Sequence, residues 1–276
     1  MLHRLTEQRT MREIIRLPGG DVPAGTPDAA AHSPAPCADC DIVELRQYTL
    51  HAGRRDAFIA FFEREFIETQ EAVGNTVIGQ FRDLDDPDHF TWLRGFRDMP
   101  GRAVALQAFY GGDVWKAHRE EANAFFIDSD DVLLLRAVRP QSALDVGRLH
   151  RAPRGTATNP PGLLVATIHS FDGEVDSGFV DAFERKLRPA MAESGIDLRG
   201  YYTSELTPNN FPRLPVRDKD RVFVWFALYA SVDDHARRFS DLAATPAWQI
   251  AARSSALIAP PAPLRLTPTP RSRLHG

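Results

Sequence analysis

Apolar positions follow two periods along this chain, and the switches between the periods mark its elements. Residues 41 to 50, DIVELRQYTL, alternate and are rich in β-branched types, the pattern of a strand. The next stretch, HAGRRDAFIAFFEREFIETQEAVG, sets Phe58, Phe61, Phe62, Phe66 and Ile67 at helical spacing and ends on Gly74, which suits a helix C-cap. Two strands follow, TVIGQFRDL and HFTWLRGFR, joined by the turn-forming DDPD. A helix from Pro100 to Tyr110 and the stretch FYGGDVWKAHREEAN lead to a last strand, VLLLRAVR. The order then recurs. GLLVATIHSF reads as a strand, GFVDAFERKLRPAMAESG as a helix kinked at Pro189, LRGYYTSEL and RVFVWFALY as strands, SVDDHARRFSDLAA as a helix and APLRLTPT as a final short strand.

The recurrence is an internal repeat. A shift of about 121 carries Phe58 onto Phe179, Phe62 onto Phe183, Glu63 onto Glu184 and Gly79 onto Gly200. Past the longer loop TPNNFPRLPVRDKD, a shift of about 133 carries Phe90 onto Phe223, Trp92 onto Trp225 and Trp115 onto Trp248. The tryptophan matches weigh most, because the chain has only four. Two β-α-β-β-α-β copies predict an α+β protein of two ferredoxin-like units, 41–138 and 163–270, each an antiparallel sheet covered by helices on one face. Residues 1–40 read as a disordered tail and 139–162, rich in Pro, Gly and Arg, as a linker.

Composition narrows the function. The 276 residues are 43% hydrophobic, enough for a substantial core. With 33 basic against 37 acidic residues, net charge −4, and no basic stripe, a nucleic-acid partner is not expected. No apolar run of about 18 residues predicts a membrane span. The start, MLHRLTEQRTMREIIRLPGG, lacks a continuous apolar segment, so a cytoplasmic location is expected. Cys37 and Cys40 fall in the Pro/Ala-rich part of the expected tail, without the strand-turn-helix context of a redox motif or further zinc ligands. They read as an incidental pair.

The string VELRQYTLHAGRRDAFIAFFE, with VIGQFRDLDDPDHFTWLRGFRDMPGRA and VWKAHREEAN after it, resembles the NIPSNAP family of the dimeric α/β-barrel superfamily. Glu44-Leu45-Arg46…Tyr48 and Trp92…Arg94 carry the resemblance over residues 42–138; the second half joins it only through the repeat. It implies two units packed sheet to sheet into a barrel, here as an intramolecular pseudo-dimer that leaves room for a further homodimer. It implies no agreed reaction. Superfamily relatives include cofactor-free monooxygenases and haem enzymes.

Alternation puts Glu44, Arg46 and Tyr48 on one strand face, Phe90, Trp92, Arg94 and Phe96 on one face of another, and Ile78, Gln80 and Arg82 on one face of a third. Ionisable groups beneath helices must pair or line a wet cavity. Two readings stay open for Glu44, Arg46, Tyr48, Trp92 and Arg94: a structural ion network, or a pocket in which arginines hold an anionic ligand against aromatic rings. The second copy has Val165, Thr167, His169 and Ala227 where the first has Glu44, Arg46, Tyr48 and Arg94, so a polar pocket is expected in the first unit only. His118, matched by Ala251, is the candidate catalytic residue beside the plain reading of a surface histidine; His169 is the runner-up. His118 and Glu121 alone do not make a metal site, and the Gly111–Gly112 pair reads as a turn, not a dinucleotide loop. The expectation is thus a protein binding a small anionic or aromatic molecule, with cofactor-independent monooxygenase-like chemistry. A haem enzyme and a non-catalytic interaction module are the alternatives, and no cofactor is expected outside the haem reading.

Overall fold

The computed structural model describes residues 36–276. The first half runs β1 (Ile42–Leu50), α1 (Arg55–Glu65), α2 (Ile67–Glu71), β2 (Thr76–Asp83), β3 (His89–Phe96), α3 (Met99–Gly111), α4 (Asp113–Asn123) and β4 (Phe126–Ala137). The second runs β5 (Leu163–Phe171), α5 (Ser177–Ala182), a π-helical turn (Phe183–Leu187), α6 (Arg188–Glu193), β6 (Asp197–Ser204), β7 (Arg221–Tyr229), α7 (Val232–Ala243), α8 (Pro246–Ala252) and β8 (Ala262–Pro268). The π turn stands just ahead of Pro189, whose missing N–H and ring disturb the preceding carbonyls. All eight strands join one closed antiparallel barrel in the order β1-β3-β2-β8-β5-β7-β6-β4, with β4 back on β1.

Strand registers show the repeat in detail. Glu44 faces Arg94, Arg46 faces Trp92 and Tyr48 faces Phe90 across β1 and β3. Val165 faces Ala227, Thr167 faces Trp225 and His169 faces Phe223 across β5 and β7. The register slips at the same place in both halves, between Val77 and Gly79 and between Leu198 and Gly200. Such a bulge adds one residue and breaks alternation. Ile78 therefore turns into the barrel with Phe81, while Gln80 lies opposite Trp92, correcting the expectation that Ile78 and Gln80 share a face.

Alternation divides the core into layers. Every strand sends side chains inward, among them Leu45, Leu93, Leu135, Leu164, Val224, Phe226 and Leu266, which fill the barrel. The outer face of the first half packs under α1–α4 through Phe58, Phe62, Phe90, Trp92 and Trp115. The outer face of the second packs under its own helices through Phe179, Phe183, Phe223 and Trp225.

The cysteine expectation does not hold. Cys37 and Cys40 form a disulfide and are buried in the same core as the barrel interior. Gly95 of β3 permits this: a Cβ there would come within 2.8 Å of Cys40 Cβ. Backbone N–H groups of Val146 and Gly147 donate to Ala38 O at 2.9 and 3.1 Å, and Leu144 and Val146 are buried, so the connector and residues 37–40 fasten one another. The part of the expected tail before residue 36 lies outside the described residues. Among the described residues no helix is long and apolar enough to cross a membrane.

Candidate functional site

Glu44 is fully buried on the helix-facing side of β1, and three guanidiniums converge on it. Arg94 Nη2 donates to Oε2 at 2.6 Å and Arg46 Nη1 to the same oxygen at 2.9 Å. Arg102 Nε donates to Oε1 at 2.7 Å. Strand periodicity positions the first two arginines, and α3 positions the third. Asp98 caps α3 by accepting from Gly101 N at 2.7 Å, and the turn it starts points Arg102 at the sheet with Met99, Leu106 and Phe109. Trp92 stands between the arginines, with the Arg94 and Arg46 guanidinium carbons 5.0 and 5.7 Å from its ring centre.

Three cations share one carboxylate. Among the described residues no other acidic group forms an ion pair with Arg46, Arg94 or Arg102. Neutral groups complete the cage: Arg94 Nη1 donates to Gln70 Oε1 at 3.1 Å and Arg46 Nε to the Tyr48 hydroxyl at 2.9 Å. Arg102 Nη1 donates to Asn209 Oδ1 at 3.0 Å and Asn210 Oδ1 at 2.7 Å. These asparagines come from the second half, on the long β6–β7 loop. Arg102 Nη2 is buried without a hydrogen-bond partner among the described residues. Burial alone would raise the Glu44 carboxyl, but Arg94, Arg102 and Arg46 outweigh it and hold it well below the usual carboxylate range. Burial lowers the Arg102 guanidinium despite its contact with Glu44, and burial raises the Tyr48 phenol.

One side of this cage opens on a cavity of ≈ 60 Å³. Arg46 and Tyr48 line it with Tyr110, Trp115, Asn123, Phe126 and Ser129, and the β6–β7 loop adds Phe211, Arg213 and Leu214. Asp130 on β4 feels the charge of Arg46 without pairing with it. Of the residues expected at a site, the structure brings Glu44, Arg46, Tyr48, Trp92 and Arg94 together, but only Arg46 and Tyr48 reach the cavity. His118 lies apart on α4, its Nε2 3.5 Å from Glu65 Oε2 and its ring against Phe61. His169 is buried in the second half, where its Nε2 accepts from Trp225 Nε1 at 3.2 Å. Sequence reasoning missed Arg102, Tyr110, Asn123 and the loop. Arg102 had a signal, as a charge on the apolar stripe Met99, Leu106, Phe109. The loop had none, since nothing local says where it lands.

Two cavities among the described residues do not suit haem. The Arg46 cavity is far smaller than a porphyrin, and the larger cleft of the second half, ≈ 690 Å³ between Phe179, Phe183, Leu187 and Ile250, has no His, Cys, Tyr or Met in its wall. Among the described residues no group of three or more His, Cys, Asp or Glu could hold a metal ion.

Among curated protein sequences none matches the chain. A candidate monooxygenase from Fusobacterium nucleatum superposes with a TM-score of 0.54 at 10% identity, covering 87% of this chain and 97% of its own. A candidate monooxygenase from Lactobacillus acidophilus (TM-score 0.49, 12% identity, 86% and 98% covered) is similar to the chain. So is chlorite dismutase from Candidatus Nitrospira defluvii in complex with imidazole (0.48, 12%, 83% and 92%). At such identities a likeness concerns the fold, a helix-covered α/β barrel, and not the chemistry. Sequence speaks for one half: residues 43–140 match the NIPSNAP family model. The half that holds Glu44, Arg46, Arg94 and Arg102 is a NIPSNAP domain.

Proposed function

We propose that this protein binds a small organic anion in the cavity over Arg46 and Tyr48. One observation carries the reading: a buried cluster with three cations and one carboxylate presents Arg46 to an aromatic-walled cavity. Burying unpaired charge is unfavourable, and an anion beside Arg46 offsets it. Arg213, exposed at the mouth, adds attraction for an incoming anion. The β-α-β-β-α-β order of each half supports two ferredoxin-like units, of which only the first keeps the charged cage.

Trp115 in the cavity wall supplies the readout. Acetate, benzoate and phosphate titrated against intrinsic fluorescence should give a saturable change for at least one carboxylate. Arg46→Gln should weaken it roughly tenfold or more, the scale of a lost charged hydrogen bond in a partly dry site. No saturable change, or an unaffected Arg46→Gln, removes the anion site. Monooxygenase-type chemistry belongs to the same cavity in this reading, and oxygen uptake in the presence of the bound anion tests it.

A further inference from the structure

Two details of the cavity narrow the anion, given the binding reading above. The first is size. A dry cavity that accepts benzene has about 150 Å³, and a single water needs about 10–15 Å³. At ≈ 60 Å³ this cavity, open on one side to solvent, encloses a few heavy atoms, fewer than an aromatic ring. The second is an orphaned acceptor. Asn123, the last residue of α4, lines the cavity, and its Oδ1 is buried without a hydrogen-bond partner among the described residues. A buried carbonyl oxygen left unpaired is unfavourable. The terminal amide torsion is soft, so a small rotation presents the oxygen to a donor in the cavity. Arg46, a donor of hydrogen bonds only, wants the ligand's anionic end, and Asn123 Oδ1 wants its hydrogen.

We infer that the cavity selects a short hydroxycarboxylate, its carboxylate on the Arg46 guanidinium and its hydroxyl donating to Asn123 Oδ1. The carboxylate supplies the charge that the cage lacks, the hydroxyl satisfies the orphaned oxygen, and two or three carbons fill the remaining volume against Tyr48 and Phe126. Ser129 stands in the same wall as a second hydroxyl partner.

The test compares glycolate, acetate and fluoroacetate on the full-length protein, by Trp fluorescence and calorimetry. Fluoroacetate matches glycolate in size and cannot donate a hydrogen bond. Glycolate should bind roughly three- to tenfold tighter than either, the range of one net hydrogen bond. Asn123→Ala should bring glycolate to the affinity of acetate and leave acetate within twofold. Equal binding of glycolate and fluoroacetate by the unaltered protein overturns the hydroxyl assignment and leaves the anion site standing. A glycolate preference that persists in Asn123→Ala overturns the role of Asn123. If none of the three binds, the anion site falls and this inference with it. The comparison on unaltered protein stands even if the variant does not fold.

Discussion

Arg94 shows how the two sequence readings divide between residues. It is fully buried, bonded to Glu44 through two nitrogens, and absent from the cavity wall, so it belongs to the ion network. Arg94→Ala should then lower stability by about 3–5 kcal/mol, because it takes two charged hydrogen bonds from buried Glu44 and leaves Gln70 Oε1 without its donor. Denaturant melts measure this, and a loss under about 1 kcal/mol would place Arg94 in an open, hydrated site instead. Alternation made Glu44, Arg46, Tyr48, Trp92 and Arg94 legible as one face, because a strand's period of two holds wherever pairing is regular. It could not separate network from pocket. That depends on Arg102 and on Asn209 and Asn210, which reach the cluster from a helix and from a loop of the other half.

Among elements, β1–β3 and β5–β7 are one antiparallel pairing carrying two chemistries. Ala227 stands where Arg94 stands and faces Val165 where Arg94 faces Glu44. Ala227→Arg would bury a guanidinium with no carboxylate opposite, in a fully enclosed position of the second aromatic layer. A loss of about 3 kcal/mol or more is expected. Chemical unfolding with a midpoint equal to that of the parent would mean the second layer holds a polar space that the structure does not show. The repeat was readable because the two halves share their aromatic spacing although they differ in charge. The bulges at Gly79 and Gly200 were not, since an extra residue in a strand leaves no periodic mark and reverses the faces beyond it. The buried cysteines escaped for a related reason: a Pro/Ala-rich segment has no pattern of its own, and its place comes from the bare backbone of Gly95.

The whole molecule should be sensitive to acid, and the sign follows from two groups. Burial pushes His169 down to about 4, so between its unfolded value near 6.5 and about 4 the unfolded chain binds a proton that the fold refuses. Stability from this group is complete above about pH 6.5 and falls by about 3 kcal/mol as the pH drops to about 4. The depressed Glu44 carboxyl acts lower, its contribution complete above about pH 4.5 and withdrawn beneath it. Urea midpoints at pH 7.5, 5.5 and 4.5 should therefore decline, His169→Gln should flatten both intervals, and the further fall below pH 4.5 should remain in that variant. A flat profile from 7.5 to 5.5 in the parent protein would rule out a neutral buried His169.

Both seams of the barrel, β2 with β8 and β4 with β6, lie within a single polypeptide. Bringing the two sheets together is thus a unimolecular event, governed by the tether between them and not by how many copies share the solution. Dilution has no purchase on it. The halves are consequently released from having to match: a surface that meets its own duplicate must suit both sides at once, whereas here each side can drift alone. One half could keep its cations while the other gave up its own and lent Asn209 and Asn210 across the divide, a trade that identical subunits could make only by changing both together.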